Sequence, residues 1–125
     1  MTVNRAWYDS ECLFCRIVAG EEPSEKVTET ADFLVIKNKY PIAPVHVLVL
    51  DKKHRVKKDT VSGVYAKEPG GYWDKLFEAI FATIAQLGLD QSGYKLVNNG
   101  AGYNHFEHEH FHVLGGTETE PGGST

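Results

Sequence analysis

The sequence predicts an α+β domain on a mostly antiparallel sheet of five strands with one main helix, and three observations lead to that prediction. Short runs of β-branched and aromatic residues recur along the chain, most clearly at 45–50. Residues 73–87 place apolar side chains three and four positions apart, which is the spacing of an amphipathic helix. Near the C-terminal end, histidines alternate with other residues, which is the period of a strand.

Each element has its own signal in the sequence. Residues 12–19 predict a short helix that ends at Gly20, because Pro23 prevents its continuation. Gly88 is placed to cap the main helix at its C-terminal end. The stretch 55–71, with its charges and glycines, predicts a loop with at most one helical turn. The strands are expected, in chain order, at 26–30 and 33–36 (a hairpin), at 45–50 (central in the sheet), at 94–98 and at the histidines.

Length and composition indicate one domain, since 42% of the 125 residues are hydrophobic. We expect an N-terminal extension at 1–11, the domain itself at 12–116 and a flexible C-terminal tail at 117–125, which lacks apolar residues. No apolar run approaches the roughly 20 residues that cross a bilayer, and the N-terminus does not resemble a signal peptide. A net charge of −4 argues against binding to nucleic acid polymers. These features predict a cytoplasmic protein without a membrane partner.

The histidine run is the main candidate for a functional site. His108, His110 and His112 alternate strictly, so a strand would place all three imidazoles on one face. Neighbouring imidazoles would then lie roughly 6.5 to 7 Å apart. Such a face can bind a metal, or it can hold a nucleophilic histidine that its neighbours orient, or it can be a solvated strand with no role. The run alone does not choose among these functions.

Two cysteines, Cys12 and Cys15, form a CxxC pair. In a reducing compartment a disulfide between them is not expected. The spacing is typical of half a zinc site, although a redox pair or two packed thiols would have the same pattern.

Together, three segments resemble the histidine-triad (HIT) superfamily of nucleotide hydrolases and transferases. They are the opening stretch 12–24, the stretch 38–54, and the triad with its continuation through Gly115 and Gly116. The resemblance implies a HIT fold, with a five-stranded antiparallel sheet, one main helix and a short N-terminal helix. It also implies a homodimer that binds a purine nucleotide such as AMP near the triad.

The resemblance implies roles for the triad residues in particular. His110 would be the nucleophile that attacks the α-phosphorus, and His112 would bind the phosphate and stabilise its developing charge. His108 would orient the site. A neutral imidazole is a competent nucleophile near pH 7, which agrees with this scheme and requires no catalytic metal.

Further residues match the positions where the family contacts a nucleotide. Asn38 lies at the position of the ribose contact, and Asn98 matches the phosphate-side loop. Turn chemistry before Pro41 would equally explain Asn38. Three apolar residues match the positions around the base, although they would also serve as plain core, namely Phe14, Ile17 and Ile36.

The chain departs from the family pattern just before the triad. Asn104 and His105 stand where the family commonly has Gln and a small hydroxyl residue. The shorter Asn104 reaches less far toward the leaving group, and His105 is either a phosphate contact or general acid, or an exposed loop histidine. Glu107 and Glu109 occupy positions that are generally apolar, so we expect the opposite face of the strand there to be solvated or at an interface.

The resemblance also implies a structural zinc ion. In HIT members with CxxC, zinc joins both cysteines, a histidine after the central strand and the first triad histidine. The matching residues here are Cys12, Cys15, His54 and His108, a donor set suited to tetrahedral zinc. His46, in an apolar strand, is expected to be a structural histidine.

The leading functional hypothesis is a Hint-like nucleotidyl hydrolase or transferase. It would cleave a purine nucleoside phosphoramidate or a related AMP conjugate through a nucleotidyl-histidine intermediate. One alternative is a dinucleoside polyphosphate hydrolase or phosphorylase, which the stretch from Asn38 to Val49 resembles. A second is a zinc-stapled nucleotide-binding protein with little turnover, and a third is a metallohydrolase whose triad binds the metal.

Overall fold

Within the described residues, five antiparallel strands form a single sheet, as the sequence predicts, and their order in the sheet is β1-β2-β3-β5-β4. The computed structural model describes residues 7–125, so residues 1–6 of the expected N-terminal extension lie outside the described residues. The strands are β1 (Lys26–Glu29), β2 (Phe33–Lys37), β3 (Val45–Asp51), β4 (Tyr94–Val97) and β5 (His110–Gly115).

The helices are α1 (Leu13–Val18), α2 (Lys57–Ser62), α3 (Tyr72–Gln86) and α4 (Leu89–Ser92). The short N-terminal helix and the main helix are confirmed. Gly88 lies just beyond α3 in the left-handed conformation with φ of 71°, the conformation that glycine adopts most readily after a helix. The four-residue α4 follows at once, and the sequence does not predict it. No described helix combines the length and apolar character that a membrane span requires.

The central strand β3 is buried on both faces, which explains its nearly continuous apolar sequence. Val47 and Val49 pack with α3 on one face, in a core that includes Leu76 and Ile80. Leu48 and Leu50 pack with α1 on the other face, in a second core around Phe14. The sheet is therefore the middle layer between a long helix and a short one.

The side chains of strand β5 alternate between the same two faces of the sheet, so they lie in the same two environments. Phe111 and Val113 join the core under α3. His110 and His112 pair across the sheet with Leu50 and Leu48, so their imidazoles lie on the α1 face. His108 precedes β5 and forms an isolated bridge with Val56. The alternation of the triad is thus confirmed, although the regular strand begins two residues after His108.

Glu109 is buried, and the expectation that it would be solvated or at an interface is wrong. Its side chain is 2% exposed. Its carboxylate accepts hydrogen bonds from Thr60 at 2.5 Å and from the Asn98 amide at 2.7 Å, and it pairs with the Lys57 ammonium at 2.8 Å. The short helix α2, which the sequence barely signals, supplies Lys57 and Thr60. Glu107 is exposed, as expected.

Residues 117–125 form no helix or strand, but they contact the domain. The Lys95 ammonium lies 2.8 Å from the Glu120 carboxylate and donates to the Pro121 carbonyl at 3.2 Å. The Asn99 amide donates to the Thr125 hydroxyl at 3.1 Å. The predicted flexibility of this tail and the limits of the domain at 12–116 stay predictions.

Gly115, at the end of β5, provides a test of this packing. An added Cβ there would lie 2.7 Å from a methyl group of Leu89 and 2.9 Å from the Gly93 carbonyl oxygen. Because a backbone atom cannot move aside cheaply, we expect Gly115→Ala to lower the free energy of unfolding by about 1–3 kcal/mol. Urea unfolding monitored by circular dichroism measures the change.

Gly122→Ala is the matched control, since an added Cβ there meets no atom within 4 Å. It should unfold at the wild-type urea concentration. Equal midpoints for Gly115→Ala and the control would show that α4 and β5 are less closely packed than described.

Candidate active site

A cleft of about 1080 Å³ lies on the α1 face of the sheet, and its lining combines apolar side chains with histidines. The apolar side chains come from α1, β2 and β3, namely Leu13, Phe14, Ile17, Ile36 and Leu48. Four histidines also line the cleft, namely His46, His105, His110 and His112. A cleft of this size with an apolar lining and a few converging polar groups is typical of a small-molecule site.

His110 is held as a neutral base. Its Nδ1 lies 2.8 Å from the His108 carbonyl oxygen, and because a carbonyl only accepts, Nδ1 carries the proton. Nε2 is then the unprotonated nitrogen. Burial lowers the pKa of His110, so the ring is neutral at pH 7. Phe14 packs edge-on against the ring at 5.0 Å between centroids and fixes its orientation.

His112 presents a buried donor. Its Nδ1 lies 2.9 Å from His46 Nε2, and its own Nε2 has no hydrogen-bond partner within residues 7–125, although it is buried. Desolvation lowers the pKa of His112 to about 3. An unpaired buried donor is costly, so a buried N–H without a protein partner beside a cleft indicates an acceptor on a ligand.

His46 sets the protonation pattern of His112. The backbone N–H of Ile42 donates to His46 Nδ1 at 3.2 Å, which leaves the proton of the neutral ring on Nε2. His46 Nε2–H therefore donates to His112 Nδ1, and the remaining proton of His112 lies on Nε2. Burial lowers the pKa of His46, which keeps its ring neutral.

The sequence alone places His46 among structural histidines and does not connect it to the triad. His46 and Leu48 lie on one face of β3, and Leu48 pairs with His112, so His46 and His112 are diagonal neighbours. The one signal in the sequence is a polar side chain in a strand buried on both faces, which requires a hydrogen-bond partner.

The four predicted metal ligands do come together. Donor atoms of Cys12, Cys15, His54 and His108 all lie within 4.8 Å of one another. The Cys15 sulfur lies 3.2 Å from His54 Nδ1 and 3.5 Å from His108 Nδ1. The Cys12 sulfur lies 3.4 Å from His108 Nδ1.

The protonation of His108 suits a metal ligand. Its Nε2 donates to the Asp51 carbonyl at 2.5 Å, so the unprotonated Nδ1 faces both sulfurs. Two sulfurs and two imidazole nitrogens are a donor set that tetrahedral zinc accepts. This orientation also turns the ring of His108 away from the cleft. A metal ion bound by all three triad histidines would require that ring to face the cleft.

The remaining predicted nucleotide contacts fall into two groups. Asn38 lines the cleft, where its Oδ1 accepts from the Tyr40 N–H at 2.9 Å and its amide nitrogen lies 3.1 Å from His46 Nε2. His105 also lines the cleft and is exposed at its mouth. Both roles predicted for Asn38, the turn residue and the ribose contact, are compatible with this position.

Asn98 and Asn104 form hydrogen bonds outside the cleft lining. The Asn98 amide donates to Glu109 and to the His110 carbonyl at 2.9 Å, which fixes the start of β5. The Asn104 side chain bonds within its own loop, to the Phe106 carbonyl at 3.2 Å and the Gly102 N–H at 3.3 Å. Their roles toward a nucleotide stay predictions.

Comparison with known proteins identifies the family. The family model described as the HIT domain matches residues 19–119. The chain belongs to the HIT family. HIT relatives include an adenosine 5′-monophosphoramidase of Candida albicans, 30% identical over 113 residues that span 84% of this chain and 70% of the relative.

Solved HIT structures share the fold. A histidine triad protein from Clostridium difficile superposes with a TM-score of 0.71 and 30% identity, over 92% of this chain and 98% of that protein. A Zn-bound histidine triad family protein from Mycobacterium smegmatis gives a TM-score of 0.60 and 25% identity, over 83% of this chain and 73% of that protein. The predicted fold and the recognition of the family are confirmed.

The low pKa of His112 makes stability depend on pH in a defined window. The unfolded chain binds a proton at this residue near pH 6.5, whereas the folded chain does so only near pH 3. The contribution of His112 to the free energy of unfolding is therefore complete above pH 6.5 and is lost as the pH falls toward 3. We expect His112→Gln to reduce the slope of unfolding free energy against pH in this window by up to about 1.4 kcal/mol per pH unit.

Urea titrations across the window measure that slope. Gln91→Ala is the control, because it changes an exposed residue without a titratable group and should leave the slope at its wild-type value. If His112→Gln and wild type lost stability in parallel, His112 would be protonated equally in the folded and unfolded chains, contrary to its buried position.

Proposed function

We propose that this protein is a nucleotidyl hydrolase or transferase that cleaves a purine nucleoside phosphoramidate or a related AMP conjugate. The observation that carries the proposal is that one cleft holds both an unprotonated imidazole nitrogen and a buried imidazole N–H donor. His110 offers an unprotonated Nε2, and the neighbouring His112 offers a buried Nε2–H without a partner among the described residues. The name of the Candida albicans relative, an AMP phosphoramidase, supports the choice of substrate.

In this reaction His110 Nε2 attacks the α-phosphorus and forms a phosphorus–nitrogen bond to the imidazole. The bond from phosphorus to the substrate amine breaks, and the amine takes up a proton from solvent at the cleft mouth. Water then attacks the same phosphorus, breaks its bond to Nε2 and releases AMP and a proton. Transfer to another acceptor in place of water would follow the same path.

The surrounding hydrogen bonds stabilise the charges that develop. The ring of His110 becomes cationic when Nε2 binds phosphorus, and its Nδ1–H already donates to the His108 carbonyl. The Nε2–H of His112 would donate to a phosphoryl oxygen as negative charge accumulates there. His46 holds His112 in the tautomer that has this donor, so His46 acts as a positioning residue.

The apolar part of the cleft lining would hold the base. Phe14, Ile17 and Ile36 belong to this lining, and the ring of Phe14 provides a flat contact for a purine. Asn38 lines the cleft beside His46, where it would contact the ribose hydroxyls. His105, at the mouth, would contact the phosphate or the departing amine.

We also propose that Cys12, Cys15, His54 and His108 hold a structural zinc ion. The approach of their donor atoms and the orientation of His108 support it, and so does the likeness to a Zn-bound family protein. When bound, zinc would supply a cross-link between the N-terminal segment and the start of β5. No step of the proposed reaction uses it.

A homodimer is proposed as the assembly. Strand β4 lies at one edge of the sheet, and an edge strand has unpaired backbone groups that a second copy can pair with. Tyr94 on that strand and Phe81 on α3 are both exposed by about half, at 50% and 55%. Pairing across β4 would bury both side chains.

His110→Ala tests the nucleophile. We expect the rate of AMP release from adenosine 5′-phosphoramidate to fall on the order of a thousandfold or more, because the variant removes the nitrogen that attacks phosphorus. Glu107→Gln, an exposed neighbour in the same motif, is the control and should retain wild-type turnover. Turnover in wild type should survive a chelator as long as circular dichroism shows a folded protein.

Three contrary outcomes would redirect the assignment. Full activity in His110→Ala would contradict nucleophilic catalysis by that residue. Activity lost to the chelator in a folded protein would favour the metallohydrolase. Binding of AMP without turnover would point first to dinucleoside polyphosphates as substrates. If those also resisted cleavage, the protein would be a nucleotide-binding protein with little turnover, which agrees with an Asn104 amide that bonds within its own loop.

His46 has a separate test, because it acts through His112. We expect His46→Ala to lower kcat on the order of a hundredfold with little change in KM, since the donor on His112 would lose its orientation. His46→Gln keeps an N–H that reaches His112 and should restore part of kcat. A change in KM alone, or no rescue by Gln, would assign His46 to packing.

A further inference from the structure

A buried ion pair closes the loop that follows β3. One nitrogen of the Arg55 guanidinium donates to both oxygens of the Asp51 carboxylate, at 2.9 and 3.1 Å, and the two side chains are 5% and 0% exposed. The same carboxylate accepts from the Tyr72 hydroxyl at 2.8 Å and from the Lys53 N–H at 2.9 Å. Together these hydrogen bonds fix the conformation of the loop 51–55.

The guanidinium of Arg55 is held by further contacts. A second nitrogen donates to the Glu68 carboxylate. Three aromatic rings surround the guanidinium carbon, with centroids 4.8 to 5.1 Å away, namely those of Trp7, Tyr65 and Tyr72. A planar guanidinium stacks on such rings and binds two carboxylates at once, which a lysine ammonium does less well. The position is therefore suited to arginine in particular.

Both histidines of the predicted metal-ligand set depend on this loop. His54 lies within it, and the Asp51 carbonyl accepts from His108 Nε2 at 2.5 Å. The Glu109 N–H donates to the Arg55 carbonyl at 2.7 Å, and the Asp51 N–H donates to the Glu109 carbonyl at 3.2 Å. The two residues of the ion pair therefore supply the backbone groups that bind His108 and its neighbour to the loop.

The ion pair contributes geometry more than stability. Burying two charges costs about as much as their attraction returns, so apolar side chains of similar volume would fill the interior equally well. Apolar side chains would not fix the position of the Asp51 carbonyl. Without that acceptor the proton of His108 has no preferred nitrogen, and Nδ1, which faces the two sulfurs, must be unprotonated to bind a metal.

We propose that Asp51 and Arg55 are positioning residues that hold His54 and His108 in their metal-binding arrangement before a metal is bound. Neither residue belongs to the ligand set, and the pair acts by fixing the loop that carries one ligand and the acceptor that orients the other. This inference rests on the proposed zinc site. Ligands that are already ordered lose little conformational freedom on binding, so the pair raises the affinity of the cluster for a metal.

Metal affinity is the first measurement, with cobalt(II) as the probe, because its visible absorption reports tetrahedral coordination by sulfur and nitrogen. Asp51→Asn combined with Arg55→Met keeps an acceptor for Tyr72 but cuts the link across the loop, and it should raise the Kd for cobalt on the order of tenfold or more. Arg55→Lys keeps the charge without the planar fork and should raise Kd by a smaller factor. The control, Lys95→Met with Glu120→Leu, removes an ion pair between β4 and the C-terminal tail and should keep the wild-type Kd.

The protonation of His108 is the second measurement. Long-range ¹H–¹⁵N correlation spectra of the metal-free protein show which nitrogen of this ring carries the proton. Wild type and the control should carry it on Nε2, whereas both variants of the ion pair should show a share of Nδ1–H. A purely stabilising role of the pair would lower the free energy of unfolding and leave the tautomer unchanged.

An unchanged tautomer or an unchanged Kd in the double variant would overturn the proposal, and changes in both support it. The same criteria apply to Arg55→Lys if the double variant does not fold. If wild type binds neither cobalt nor zinc, the proposed zinc site fails. The spectra of the metal-free protein then decide alone whether the pair positions His108.

Discussion

The hydrogen bond from His108 Nε2 to the Asp51 carbonyl is the interaction on which the site depends. At 2.5 Å it fixes the ring of a fully buried histidine and decides which nitrogen carries the proton. Nδ1 is left as an acceptor toward the two cysteines, and the backbone of the same residue presents its carbonyl to His110.

His108 therefore joins two sites that the sequence presents separately. The cysteine cluster positions its ring, and its carbonyl fixes the proton of the His110 ring. Because the unprotonated nitrogen of His110 is defined by where that proton lies, the N-terminal segment is linked to the protonation of the His110 ring through one side chain and one peptide group. This link requires no conformational change, because each hydrogen bond only determines which nitrogen of the imidazole ring carries the proton.

The sequence is most informative where a period repeats over several residues. The alternation of His110, Phe111 and His112 predicts the two faces of β5, and the spacing of apolar residues predicts α3. Resemblance to the family then supplies the ligand set, and the structure brings those four residues together.

What the sequence cannot provide is register between distant segments. His46 meets His112 only because β3 and β5 pair with one particular offset, and no local pattern encodes that offset. The wrong expectation for Glu109 has a similar cause. Its partners lie on the six-residue α2 and at the end of β4, and a helix so short has little periodicity to detect.

The buried carboxylate of Glu109 has a consequence for how the sequence can vary. Its ammonium and hydroxyl partners lie on α2 and its amide partner follows β4, and removing any one leaves polar groups unpaired in the interior. Substitutions at Lys57, Thr60, Asn98 and Glu109 therefore have non-additive effects. A neutral residue in place of Glu109 would be tolerated best when Lys57 is also neutral. Drift at these four positions is expected to be correlated, so that relatives carry either the complete polar set or an apolar replacement of the whole.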